Sequence, residues 1–300
     1  MPRPATSPRD DVVVAGGTGF VGSRLVETLL RRRTTRVWVV GRREPASSAD
    51  PRVVFLRHDI ARPLRRLVLP PTIRAVFHCA SPRGEDASVA DLFGANLRGT
   101  LRLLDYAARA GARHFVYVSS GGVPGYRRAP IRETAQPNPD SSYLRAKLAG
   151  ELAVRAVGPA VPTTIVRLFF PYGPGQREGL LPLLCRRLAR GESIIVGPGG
   201  APSLNPIHVR DAARLLARIG SAGRPDPVIN LGGPDVTNVR DLARRLGEHL
   251  GRGPVFRRDE TRKGHLVADM RLLRRRYGRR MIPLDRGLSE FAAWWRAQGG

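Results

Sequence analysis

Along the first half of the chain, apolar residues recur at two different spacings. Asp11, Val12, Val13, Val14 and Ala15 form a short β-branched run, the pattern of a strand buried on both faces of a parallel sheet. Over residues 23–33 the apolar positions Leu25, Val26, Leu29 and Leu30 recur at helical spacing. Further strand runs occupy residues 36–40, 52–56, 75–77 and 114–118. Residues 89–111 predict one long helix containing Asn96 and ended by Gly111, and another helix opens near Asp140 or Ser141. Strands alternating with helices predict right-handed βαβ units, an α/β fold of the Rossmann type with a doubly wound parallel sheet.

The first strand–helix junction carries chemistry. It reads Gly16-Gly17-Thr18-Gly19-Phe20-Val21-Gly22. In such a junction the first glycine allows a tight turn, the second lets backbone approach a pyrophosphate, and the third lets helix and strand pack closely. Dinucleotide binding is the expectation. The second strand ends in Gly41-Arg42-Arg43 and has no acidic residue to hold a ribose hydroxyl. Arg42 at that position favours the 2′-phosphate of NADP over NAD. Polar residues just past the next strand ends, Asp59 with Ile60 and His78 with Cys79, Ala80 and Ser81, fall where such sheets bind ligands. For His78 a role at the edge of the core is the better reading.

Composition alters this picture little. The 300 residues carry a net charge of +26, and 49 of the 51 basic residues are Arg. The excess is +13 in each half, with no basic arm on a neutral body, so a nucleic-acid partner is the minor reading. Two cysteines, Cys79 and Cys185, are too few for a metal site or a disulfide framework. Residues 1–10 are polar and Pro-rich, and no run approaches the roughly 18 apolar residues of a membrane span. A cytoplasmic protein is expected.

Against the arginine background one lysine stands out. Tyr143 and Lys147 lie four apart on a predicted helix and share a face. With six Tyr and two Lys in the chain, about 0.04 such pairs are expected by chance. A phenol with its ordinary pKa of about 10 is a poor base at neutral pH, and a neighbouring ammonium favours the phenolate. Tyr143 can then exchange a proton with a hydroxyl or carbonyl while hydride moves to or from a nicotinamide. Ser120, at a strand end, can hydrogen-bond the reacting oxygen.

Taken in order, these motifs resemble an extended short-chain dehydrogenase/reductase of the NAD-dependent epimerase/dehydratase family. The resemblance runs from Val12 to about Trp295. It includes the glycine loop, Asp59, His78-Cys79-Ala80, Asn96 before Gly99-Thr100, Ser119-Ser120, Tyr143 with Lys147, and Arg167. Tyr172-Gly173-Pro174-Gly175-Gln176, His208-Val209-Arg210-Asp211 and Asn230-Leu231-Gly232-Gly233 continue it. It implies a Rossmann domain over residues 11–170 and roughly 205–232, with a smaller C-terminal α/β substrate domain over roughly 171–204 and 233–300. It also implies a homodimer formed through the helices at 89–111 and 141–157. Ser120, Tyr143 and Lys147 take the catalytic roles. Gly16, Thr18, Gly19, Phe20, Val21, Gly22, Arg42, Asp59, Ile60, Cys79, Ala80, Ser81, Asn96, Tyr143, Lys147 and Phe169 hold the cofactor. The substrate is a small molecule, with a sugar nucleotide expected.

Three departures from that family bear on the substrate. Its 4,6-dehydratases follow the catalytic hydroxyl with Asp-Glu, whereas this chain has Gly121-Gly122, which argues against dehydration. Its sugar-nucleotide enzymes often have Asn where Phe170 stands and Arg where Leu204 stands. These apolar replacements motivate an alternative, reduction of a non-sugar ketone. The candidate substrate contacts are Ser81, Ser120, Gly121, Phe170 and Arg262, the last in an Arg262-Lys263-Gly264-His265 stretch suited to a diphosphate. A non-catalytic dinucleotide- or RNA-binding protein on the same fold is the reading from another class, and an intact Ser-Tyr-Lys set counts against it.

Overall fold

A computed structural model describes residues 10–44, 50–82, 87–157, 160–223, 225–261, 264–278 and 280–299. The chain begins with β1 (Asp10–Ala15), α1 (Phe20–Leu30), β2 (Thr35–Gly41), β3 (Val53–Arg57) and β4 (Ala75–His78). It continues through α2 (Val89–Phe93), α3 (Gly99–Arg109), β5 (His114–Ser120), α4 (Ser142–Ala156) and β6 (Thr163–Leu168). Then come β7 (Pro171–Tyr172), α5 (Leu180–Arg190), β8 (Ile194–Val196), β9 (Ser203–Leu204), β10 (Ile207–His208), α6 (Val209–Ile219) and β11 (Val228–Leu231). The C-terminal part holds β12 (Thr237–Asn238), α7 (Val239–Leu250), β13 (Phe256–Arg258), β14 (His265–Leu266), α8 (Arg271–Tyr277) and α9 (Leu284–Ala297).

Seven strands form one parallel sheet in the order β11-β6-β5-β4-β1-β2-β3. The chain order reverses direction beside β1, where β2 lies on one side and β4 on the other. Crevices at such reversals are where open α/β sheets bind ligands. Val12, Val13 and Val14 have no solvent exposure, as a strand covered on both faces requires.

The chain divides into two compact units. The first comprises residues 1–118, 146–165 and 213–227, and the second 119–145, 166–212 and 228–300. In the second unit, α5, α7 and α9 pack around Leu184, Leu188, Leu242, Leu246, Leu288 and Phe291. The small sheets β12-β9-β14, β13-β8 and β10-β7 belong to it as well.

One predicted element differs. The helix expected over 89–111 is two helices joined by a π-helical turn at Gly94–Arg98, and α3 ends at Arg109. Ser88 caps its start, accepting from Asp91 N at 3.1 Å. A π turn inserts one residue into the helical register, so Asn96 points elsewhere than a continuous helix would send it. No helix among the described residues is long and apolar enough to cross a membrane.

Candidate active site

In the first unit, β1 delivers the chain to the glycine turn. Gly16 has φ +79°, and a Cβ on it would stand 2.5 Å from the backbone N of Ala80. A Cβ on Gly22 would stand 2.1 Å from the carbonyl O of Gly16, so α1 packs directly on the turn. Gly19 differs: its Cβ would meet only Gly16 O, at 3.4 Å. It occupies the N-cap of α1, offers no side-chain cap, and no acidic residue follows in the first turn. The positive end of this helix is therefore open to an anion, as a pyrophosphate needs. Thr18, Phe20 and Val21 border this opening, each half-buried.

The other expected cofactor residues of this unit lie at neighbouring strand ends. Cys79 N donates to Ala15 O (2.8 Å), which sets Cys79, Ala80 and Ser81 beside the end of β1. Burial pushes the Cys79 thiol up to about 12, so it is no nucleophile at neutral pH. Asp59 accepts from Ala61 N at 2.9 Å and closes a turn, while buried Ile60 sits where a Cβ on Gly99 would come within 2.7 Å. Arg42 is exposed beyond β2, and its carbonyl accepts from Arg57 Nε at 3.3 Å.

A buried polar network surrounds Lys147, itself 3% exposed. Lys147 Nζ donates to Val118 O at 2.8 Å and stands 5.2 Å from the centre of the Tyr117 ring. Tyr117 Oη donates to Asn96 Oδ1 (3.3 Å) and to Lys147 O (3.4 Å). Asn96 Nδ2 donates to Ser81 Oγ (3.1 Å) and Leu92 O (2.8 Å). The structure thus joins Ser81, Asn96 and Lys147, three residues picked from the sequence, through Tyr117, which was not. The signal was present: a tyrosine inside a fully buried strand must find a partner for its hydroxyl. His78 lies edge-on to Tyr117, with centroids 5.2 Å apart. Burial, reinforced by the Lys147 charge, lowers its pKa to about 3, so it is neutral.

The second unit carries the remaining residues. Ser120 ends β5, half-buried, and its Oγ accepts from Gly122 N at 3.2 Å. Gly121 is buried, and a Cβ on it would lie 2.4–2.5 Å from three atoms of the Phe169 ring. Phe169 therefore occupies the space a side chain at 121 would need. Tyr143 is half-buried in the first turn of α4, where Ser141 Oγ accepts from Leu144 N at 3.3 Å. The same helix carries Lys147 one turn later. Phe170 has φ 44°, and no other non-glycine among the described residues has positive φ. Holding a bulky residue there costs on the order of 1–2 kcal/mol. Arg262, and Lys263 beside it, lie outside the described residues.

Comparison with known proteins places these features in a lineage. The model of the NAD-dependent epimerase/dehydratase family matches residues 12–232. A dTDP-glucose 4,6-dehydratase of an Actinoplanes species is 31% identical, over 95% of this chain and 98% of its own length. The structure is similar to that of a double mutant of DesIV, the dTDP-glucose 4,6-dehydratase of Streptomyces venezuelae, solved with NAD bound. The TM-score is 0.82 at 26% identity, covering 95% of this chain and 96% of that one. It is also similar to MoeE5 in complex with UDP-glucose and NAD. There the TM-score is 0.80 at 26% identity, covering 97% of this chain and all of the other.

These comparisons correct the cofactor expectation. Both similar structures hold NAD, not the NADP that Arg42 suggested. An exposed arginine in a chain with 49 of them carries little weight. The dehydratase relatives also stand against the expectation that Gly121-Gly122 disfavours dehydration, whereas the ring filling position 121 stands for it.

Proposed function

This chain belongs to the NAD-dependent epimerase/dehydratase family, and from that membership we propose an NAD-dependent epimerase or ketoreductase acting on a secondary alcohol or ketone of a nucleotide-linked sugar. The observation that carries the reading is Tyr143 and the buried Lys147 one turn apart on α4. The proposed cofactor is NAD. The uncapped end of α1 at Gly19 and the closed packing at Gly16 and Gly22 suit its pyrophosphate, and half-buried Ser81, held by buried Asn96, lies beside the same strand end. When bound, NAD supplies the hydride acceptor.

The chain's own residues do the rest. Tyr143 takes the proton from the sugar hydroxyl as the alcohol is oxidised and returns it when the ketone is reduced. Lys147 places an ammonium one turn from Tyr143 on α4, and Val118 O holds it in place. Ser120 Oγ donates to the reacting oxygen, where negative charge develops. Phe169, 1% exposed, closes position 121. Elimination of water needs an acid/base group next to Ser120, and Gly121 and Gly122 supply none. We therefore favour hydride return over dehydration.

Incubation with NAD and UDP-glucose in deuterium oxide tests this. The C4 epimer without solvent deuterium is expected, because hydride leaves and returns at one carbon. A 4-keto-6-deoxy product carrying deuterium would establish the dehydratase reaction instead.

The dimer belongs to the proposal too. Val89, Leu101 and Leu152 on α2, α3 and α4 are 57%, 47% and 58% exposed. Exposed leucines on the two helices expected to pair support an interface with a second copy.

A further inference from the structure

The first unit buries an ammonium against an aromatic face. Lys147, 3% exposed, places Nζ 5.2 Å from the centre of the Tyr117 ring and 2.8 Å from Val118 O, two groups supplied by consecutive residues of β5. We infer that Tyr117 is a positioning residue for the reaction: its ring face and the Val118 carbonyl form one seat, which fixes the Lys147 ammonium one turn from Tyr143 on α4. The inference rests on the reading that Tyr143 moves the proton, and it names the residue that keeps the neighbouring charge in place.

A buried ammonium needs partners in place of the water it has lost. The negative face of an aromatic ring is one, and it acts most strongly where water is excluded. Tyr117 meets that condition, having no exposed surface. The face also needs a fixed direction, and the neighbours of the ring supply it. Tyr117 Oη shares its proton between Asn96 Oδ1 (3.3 Å) and Lys147 O (3.4 Å). His78 meets the ring edge-on, with centroids 5.2 Å apart. Gly150 brings the backbone of α4 against the far end of the ring, where a Cβ would stand 2.4 Å from Tyr117 Cζ. The ring cannot turn its face from Nζ without breaking one of these contacts.

The groups around the ring leave Lys147 as the cation it faces. His78 is neutral, its pKa lowered to about 3 by burial and by the Lys147 charge. Core filling alone does not account for the tyrosine. An aliphatic side chain fills the interior of a parallel strand equally well, but it presents no negative face to an ammonium. The Coulomb effect of an ammonium on a proton transfer falls with distance. Displacing Nζ therefore alters the step at Tyr143 and leaves the binding of the sugar nucleotide as it was, which separates kcat from KM.

Lysine NMR of the full-length protein tests the proposal. The chain has two lysines, Lys147 and Lys263, so labelling the lysine ε-carbon with carbon-13 gives two signals, which Lys263→Arg assigns. A group over an aromatic face is shifted upfield, and the Lys147 signal is expected upfield of its place in the urea-unfolded chain. Tyr117→Phe keeps the face and should keep that shift, with kcat on UDP-glucose and NAD within about threefold of the parent. Tyr117→Leu, checked for folding by circular dichroism, should lose the shift and lower kcat by about tenfold to a hundredfold, with KM within about threefold. A Lys147 signal at its unfolded position in the parent overturns the proposal without any variant. A kcat lowered more than about tenfold in Tyr117→Phe, or equal to the parent's in folded Tyr117→Leu, overturns it too. Turnover retained in Tyr143→Phe defeats the reading of the site instead, whereas the lysine signal is recorded without substrate or cofactor and reports on Tyr117 alone.

Discussion

His78 and His114 show what burial does to single residues. Both lie in the parallel sheet with at most 1% exposure. Desolvation lowers their pKa values to about 3 and about 4, opposed only weakly by backbone hydrogen bonds. Both values sit below the ordinary 6.5, so the unfolded chain binds protons that the folded chain refuses. Stability is then complete above about pH 6.5 and falls as pH drops toward the folded values, by about 1.4 kcal/mol per pH unit for each histidine. Urea midpoints measured from about pH 7.5 down to about pH 5 should show this decline, and His114→Gln should flatten it by about half. An unchanged slope in that variant would contradict the account. At the same scale, scarce lysine drew attention to Tyr143 with Lys147 in the sequence, and the structure carries both on one helix, a turn apart. Arg42 misled for the opposite reason, since arginine is everywhere.

At the level of elements, α4 sits on β5 through a glycine. A Cβ at Gly150 would lie 2.2 Å from Tyr117 Oη and 2.6 Å from Asn96 O. Three elements meet there: β5 through Tyr117, the π turn through Asn96, and α4. Gly150→Ala should force them apart, lowering stability by about 1–3 kcal/mol in a thermal melt and moving Lys147 off Val118 O. A variant as stable and active as the parent would show that the helix tolerates a shift. The strands and the glycine turn were legible because buried β-branched runs and helical spacing are local patterns. The π turn was not. Its register shift depends on where Asn96 and Thr100 find partners, at Ser81 Oγ and within the turn itself, and sequence spacing alone does not carry that information. Tyr117 was overlooked for a related reason: it reads as one more strand residue until its partners come from three elements. The ring of Phe169 filling position 121 is likewise a long-range fact, which turns an absent carboxylate into a space with no room for one.

Across the whole molecule the charge of +26 is spread over both halves, and acidic residues take up part of it in pairs such as Arg271–Asp269 and Arg245–Asp285. Apolar exposure is the more informative surface feature. Leu101→Glu combined with Leu152→Glu should convert a dimer to a monomer in light scattering, with NAD binding kept. An unchanged mass would place the interface elsewhere. The central claim is that Tyr143 moves the proton while the first unit holds NAD. Its most direct test is Tyr143→Phe, assayed for formation of the C4 epimer on incubation with NAD and UDP-glucose, alongside NAD affinity by calorimetry. Turnover lost by on the order of a hundredfold or more, with NAD affinity within a few-fold of the parent, is the expected result. Turnover retained in that variant would contradict the account.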